Sequence, residues 1–219
     1  MASIITRFLR KFRAPALPVS TNQYLKSDED KFRNILRLYF NQIDSTFGNL
    51  LDPTGGKFIN FPYGAFSSGV DQSTTANTAT LMTLDTTDFA NGVSIASSKI
   101  TVENAGIYNL QFSAQFQNTD NQIQDISVWL KQNGTDIPGS TGYVSIPARK
   151  SASAGEEAHQ ITGWNYFVSL AEDDYIEIYW SATLDTVTIQ FYPANTGPVR
   201  PATQSVVATL SFVSALPSS

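Results

Sequence analysis

The chain contains no cysteine. That excludes disulfide scaffolds, thiolate nucleophiles and cysteine-bound zinc together. Only one histidine, His159, stands in 219 residues, which removes most metal triads and most imidazole general-base schemes. Charged side chains make up 15%, against roughly 25% in ordinary soluble domains, so much of the surface is built from neutral Ser, Thr, Asn and Gln. No run approaches the ~20 apolar residues of a membrane-spanning helix. The stretch Met1–Arg13 does not read as a secretory leader, because its charges follow a short apolar run instead of preceding it. What is present is enough apolar material for a core, 42%, and 12% aromatics, too many for a disordered chain. No cofactor is expected, and the balance is that of a structural or binding protein, not an enzyme.

Charge is unevenly placed. Residues 1–59 carry nine Lys or Arg against five Asp or Glu, whereas residues 60–219 carry five against fourteen. A basic attachment segment (1–59) joined to an acidic domain (60–219) implies two surfaces with two jobs. The acidic part lacks the clustered cations that phosphate contacts need, so no nucleic-acid partner is expected. In the basic part, Ile4, Ile5, Phe8, Leu9 and Phe12 fall at helical spacing, with Arg7, Arg10, Lys11 and Arg13 mostly on the other side. A membrane-surface helix, a transit peptide, a docking peptide for an acidic protein surface and a loose basic tail all fit this pattern. Pro15 and Pro18 then force an extended connector.

The clearest local signal is a helix from about residue 27 to 51. Ser27 is the candidate cap, Asp28, Glu29 and Asp30 suit the positive end of the helix dipole, and Asp30 stands three residues after the cap, close to a capping box. Asp52-Pro53 and Gly55-Gly56 end it. Phe32, Leu36, Tyr39, Ile43 and Leu50, with Thr46 in one slot, form an a/d seam of about two and a half heptads. Ile35, Leu38, Phe40 and Phe47 widen the apolar stripe. A short helix this apolar is not stable alone in water. The glycine linker after it favours sister helices or another protein as its partner.

From about Phe61 the apolar period changes to two. Tyr108, Leu110, Phe112, Ala114 and Phe116 alternate with polar residues; so do Ile126, Val128 and Leu130, then Trp164, Tyr166, Val168 and Leu170, then Ile176, Ile178 and Trp180, then Val187, Ile189 and Phe191, and finally Val206, Ala208, Leu210 and Phe212. Asn133-Gly134 reads as a primed hairpin turn. With weaker strands at 79–84, 93–102 and 143–146, about eight to ten strands are expected, with no helix between them. Such alternation predicts an all-β antiparallel sandwich, and the jelly roll is its natural class.

Few side chains have the arrangement that chemistry requires. His159 lies beside Glu156 and Glu157 without further ligands and reads as a strand-start or loop residue. Glu172, Asp173 and Asp174 read as a solvated turn, with Ca²⁺ as the alternative. Asp120 and Asp125 bracket a loop that could hold a metal at an oligomer apex. Asn133-Gly134-Thr135 matches a glycosylation sequon, but the hairpin turn accounts for it. Thr54-Gly-Gly-Lys57 lacks the spacing of a phosphate loop, and no serine sits in a G-x-S-x-G elbow. Trp129, Tyr143, Tyr175 and Tyr179 have the parity of outward-facing positions. They are candidates either for an oligomer interface, where aromatics are enriched, or for stacking on a glycan.

The stretch Gly106-Ile-Tyr-Asn-Leu-Gln-Phe-Ser-Ala-Gln-Phe116 resembles the G-x-Y-x-hydrophobic-x-F strand of the complement and tumour-necrosis-factor superfamily. Val128–Ile137 is similar to the strand–Asn-Gly–strand hairpin that follows it there, and Phe167–Ile178 to the family's strand pair around an acidic turn. Pro62-Tyr-Gly-Ala-Phe66, Asp85-Thr-Thr-Asp88 and Trp129-Leu-Lys-Gln-Asn-Gly-Thr-Asp136 resemble modules of tailed-phage virion proteins. The likeness covers about residues 60–215. It implies a homotrimer packed through an apolar sheet face, with a binding or structural role and no catalysis. It also implies a place on the outer surface of a virion, as fibre, appendage or capsid decoration, or as a host-adsorption head that binds a surface glycan. Residues 1–51 are then the contact with other virion proteins, and a membrane partner is disfavoured.

Overall fold

The computed structural model describes residues 15–17, 23, 25–51, 61–151, 153 and 156–216, without the side chains of 49–51. The chain divides into two compact units, Met1–Asn60 and Phe61–Ser219. The anchor positions Ile4, Ile5, Arg7, Phe8, Leu9, Arg10 and Phe12 and the Thr54–Lys57 linker lie outside the described residues.

In the first unit, α1 runs Lys26–Leu51. The expected cap is displaced. The carbonyl of Leu25 accepts from the amides of Asp28 and Glu29 at 3.0 and 3.2 Å, so the helix starts one residue early and Ser27 lies inside its first turn, 3.5 Å from the Asp28 carboxylate. Asp28 and Glu29 remain at the positive end of the dipole and pair with Lys31 (4.0 Å) and Arg33 (2.8 Å) one turn on. Phe32, Leu36, Tyr39 and Ile43 form a half-buried stripe, while Leu38, Phe40 and Phe47 are more than half exposed. The side chain of Leu50, the remaining seam position, lies outside the described residues.

The second unit is all-β. In chain order its strands are β1 (Tyr63–Ser68), β2 (Gln72–Ser73), β3 (Thr80–Leu81), β4 (Thr86–Asn91), β5 (Val93–Ala96), β6 (Lys99–Val102), β7 (Gly106–Asn118), β8 (Gln124–Gln132), β9 (Thr135–Asp136), β10 (Gly142–Ile146), β11 (Ala158–Leu170), β12 (Tyr175–Ala182), β13 (Val187–Ile189), β14 (Asn195–Thr196), β15 (Val199–Arg200) and β16 (Val206–Ser214). Ten of them are four residues or longer. In the first sheet β7 is central. β11 pairs along its whole length, and the other edge is shared by β16, which continues to β1 and β4, and β13, which continues to β2. The second sheet runs β10-β8-β12-β6-β5, with β9 on β8 and β3 on β12. All pairings are antiparallel, and β14–β15 is a separate hairpin.

The period-two rows become the core between the sheets. Tyr108, Leu110, Phe112, Ala114 and Phe116 of β7 meet Ile126, Val128, Leu130, Ile176, Ile178 and Trp180 of the facing sheet, and Phe116 and Trp180 meet edge to face at 5.6 Å. The two sheets also meet at one side. The Trp164 ring of β11 lies so close to Gly142 of β10 that a Cβ there would sit 2.5 Å from it. In β7, Gly106 leaves room for the Phe212 ring, which a Cβ would meet at 2.5 Å, and the buried Tyr108 hydroxyl donates to the Asn104 carbonyl at 2.7 Å. Asp85 and Asp88 accept from Ser68 and Ser67, tying β4 to β1. Those motif residues therefore have structural work to do.

Three expectations need correction. Residues 93–102 are not one strand but the hairpin β5–β6, turned by Ser97 and Ser98 at φ 51° and 62°. The 79–84 strand shrinks to Thr80–Leu81, although Met82 and Leu84 stay buried. Phe191 falls beyond the end of β13, where its amide donates to Asp71 instead of to a ladder.

Candidate interaction surfaces

The two outer faces of the sandwich differ in chemistry. On the first sheet the outward residues of β1, β7, β11 and β16 are Tyr63, Ala65 and Ser67; Ile107, Asn109, Gln111, Ser113, Gln115 and Gln117; His159, Ile161, Gly163, Asn165, Phe167 and Ser169; and Val207, Thr209, Ser211 and Val213. None is Asp, Glu, Lys or Arg. Ile161 is 65% exposed and Phe167 57%, and Tyr63, Val207 and Val213 are exposed as well. Register places Phe167, Asn109, Ser211 and Tyr63 in one row across the four strands, and Phe89 of β4 lies 6.1 Å from the Tyr63 ring. Among the described residues β11 pairs with β7 alone, so one side of a thirteen-residue strand carries no ladder. At this edge His159 is held by Tyr192, whose hydroxyl lies 2.9 Å from Nδ1. The histidine therefore packs at the start of β11. Burial, followed by the charges of Asp71 and Glu157, raises the pKa of that tyrosine against the pull of Arg200.

The second sheet's outer face is charged and aromatic. Trp129 on β8 stands opposite Tyr179 on β12, their ring centroids 5.9 Å apart. Trp129 Nε1 donates to Asp136 Oδ1 at 2.7 Å, and Lys131 Nζ lies 3.3 Å from the same oxygen and 4.5 Å from the Tyr179 centroid. Lys99 Nζ stands 4.3 Å from the Tyr175 centroid. Tyr143, on β10, is the most exposed of the four candidate aromatics, and its hydroxyl donates to Asp125. Period-two parity therefore located all four aromatics on one face. It gave no sign of the residue between them, Glu177, which is only 5% exposed. A glutamate at an outward position of an alternating strand reads as solvated, and only cross-strand register reveals what covers it.

The acidic candidates do not converge. Asp120 accepts from Gln124 Nε2 and from the Asn121 amide, both at 2.6 Å, while Asp125 accepts from Tyr143 and Ser145, each at 2.6 Å. Asp174 accepts from Asn133 Nδ2, Gln132 Nε2 and the Ala171 amide, which locks the 171–174 turn against the Asn133-Gly134 hairpin. Asn133 and Gly134 both have positive φ, 52° and 79°, as a primed turn needs. Among the described residues no group of three His, Asp or Glu stands where it could hold a metal ion, and no helix is long and apolar enough to cross a membrane.

These bonds depress two carboxyl pKa values. For Asp125 the Ser145 hydroxyl is the larger cause and the Tyr143 hydroxyl the next; for Asp174 the Asn133 amide leads, followed by the Ala171 backbone amide. A carboxyl whose folded pKa lies below its unfolded value of about 3.9 stabilises the fold above that pH and loses the contribution as pH falls through the folded value. The urea midpoint should therefore drop as pH is lowered below about 4. The double variant Asp125→Asn/Asp174→Asn should show a shallower drop over the same window, and equal slopes would contradict the assignment.

The chain matches no protein-family model, and comparison with curated proteins finds no match.

Proposed function

We propose that this protein is a non-enzymatic structural component of a tailed-phage particle: a homotrimer of jelly-roll heads on the outer surface, attached to other virion proteins through residues 1–51. The observation that carries the reading is the uncharged outer face of β1, β7, β11 and β16. A surface that stays in water has no reason to exclude ions across four long strands, whereas one buried between copies avoids the desolvation of unpaired charge. The strand orders β1-β16-β7-β11 and β6-β12-β8-β10 are compatible with a jelly roll and support that finer assignment. The seam of α1 supports self-association too, since a three-fold axis would bring three apolar stripes together. Three basic N-termini on one trimer would turn a weak contact with the particle into a lasting one.

Two measurements test this. Light scattering on the full chain should give three times 24.0 kDa, and a chain lacking residues 1–20 should still form trimers but fail to incorporate into particles. A monomeric full chain overturns the assembly, and undiminished incorporation of the truncated chain overturns the anchor.

A further inference from the structure

On the outer face of the β10-β8-β12-β6-β5 sheet, Glu177 stands between Tyr175 and Tyr179 on β12 and directly opposite Lys131 on β8. Lys99 precedes Ile100, which pairs antiparallel with Ile176, and so comes level with Glu177 on the other side. The residue as a whole is 95% buried by this surround, but its carboxylate oxygens are not among the buried side-chain atoms left without a partner, so they keep an opening to solvent. Among the described residues they receive no hydrogen bond and no ion pair, because both neighbouring ammonium groups are engaged elsewhere: Lys131 on Asp136 and the Tyr179 ring, Lys99 on the Tyr175 ring. A carboxylate that opens to solvent and has no donor from the protein is free to accept a hydrogen bond from something outside the chain.

The surround states what that something is. Trp129 is pinned by its Nε1–H bond to Asp136 and lies beside Tyr179, so the two rings form a platform already held in place. Two ammonium groups and two carboxylates balance to zero formal charge within the cluster. It can therefore offer charge-assisted donors and acceptors together without attracting an ion of either sign. An aromatic platform, ringed by donors and acceptors and electrically neutral, fits a ligand with one apolar C–H face and several hydroxyl groups.

We propose that Trp129, Tyr179 and Glu177, with Lys131 and Asp136, form a binding site for a neutral hexopyranose unit of a surface polysaccharide. The sugar's C–H face rests on Trp129, with Tyr179, whose ring carries Lys131, beside it. One hydroxyl donates to Glu177, and another bridges Lys131 and Asp136. Tyr143 lies outside the site, since its hydroxyl is committed to Asp125. The proposal does not depend on the self-association of the opposite sheet.

The test uses the full chain and saturation-transfer NMR with maltohexaose, mannotriose, chitotriose and lactose at millimolar concentration, beside polyglucuronate as an anionic comparison. At least one neutral oligosaccharide should bind. Trp129→Ala and Glu177→Gln should each weaken it about tenfold or more, while Tyr143→Phe leaves it unchanged. Glu177→Gln keeps the side-chain shape, so it stays informative should Trp129→Ala fold poorly, and near-ultraviolet circular dichroism checks both. Absence of binding to every neutral sugar overturns the proposal. So does a preference for polyglucuronate, or binding that neither variant alters. Loss of the oligomeric mass in Trp129→Ala without sugar binding by the parent chain would assign this face to assembly instead, and leave the proposed trimer standing.

Discussion

A chain carrying Ile161→Asp and Phe167→Asp is expected to run as a single molecule of 24.0 kDa at concentrations where the parent chain assembles. Both side chains point away from the core and are more than half exposed in the single chain, so the variant should keep its strand content and its unfolding midpoint. In an assembled face the same two carboxylates would be buried with no Lys or Arg on β1, β7, β11 or β16 to meet them. An uncompensated ion at such a place costs several kcal/mol, and three-fold symmetry would repeat the cost in every subunit. Light scattering and circular dichroism on the same sample separate the outcomes. An unchanged oligomeric mass would show that copies meet elsewhere, and a molten spectrum would show that these residues support the fold itself.

The largest effect on the fold itself is expected from Trp180→Ala. Its ring has no exposed surface, lies in the second half of β12 and meets Phe116 of the facing sheet edge to face. Replacing a buried tryptophan by alanine costs about 3–5 kcal/mol, a large part of a domain's total stability. One detail distinguishes this site from a generic core position. The buried Trp180 Nε1 has no hydrogen-bond partner, so part of what the ring contributes is already offset by an unsatisfied donor. Trp180→Phe keeps much of the apolar volume and removes that donor, so its urea midpoint should lie far closer to the parent than to the alanine variant. A phenylalanine variant as weak as the alanine one would mean that the indole N–H has a partner in solution.

The fold was legible wherever one face of a strand is greasy and the other wet. The inward residues of β7, β8, β12 and β16 follow from parity alone, and Asn133-Gly134 announces its own turn. Legibility failed where the pattern is made by neighbours. β1 is buried from Gly64 to Ser68, mostly by small residues, and β4 is exposed nearly throughout, so neither alternates. The β5–β6 turn uses Ser97 and Ser98 at positive φ, where glycine or asparagine would have been the signal. Ser27 carries the chemistry of a cap, yet the helix begins before it, since capping residues compete with whatever else the preceding backbone can bond. The uncharged face suffers from the same problem on a larger scale. β11 lies beside β7 although some forty residues separate them in the chain, and only that pairing shows that Phe167, Asn109, Ser211 and Tyr63 form one row.

The placement of β16 bears on how the molecule can be made. It is inserted between β1 and β7, so residues 206–214 must already be synthesised before those two strands can be joined in one sheet. Until then the nascent polypeptide holds two unsatisfied ladders, each able to capture a stray segment. Folding of this unit is therefore a late event, completed after translation of its final strand, and a premature stop within that strand should yield insoluble product instead of a shortened but serviceable protein.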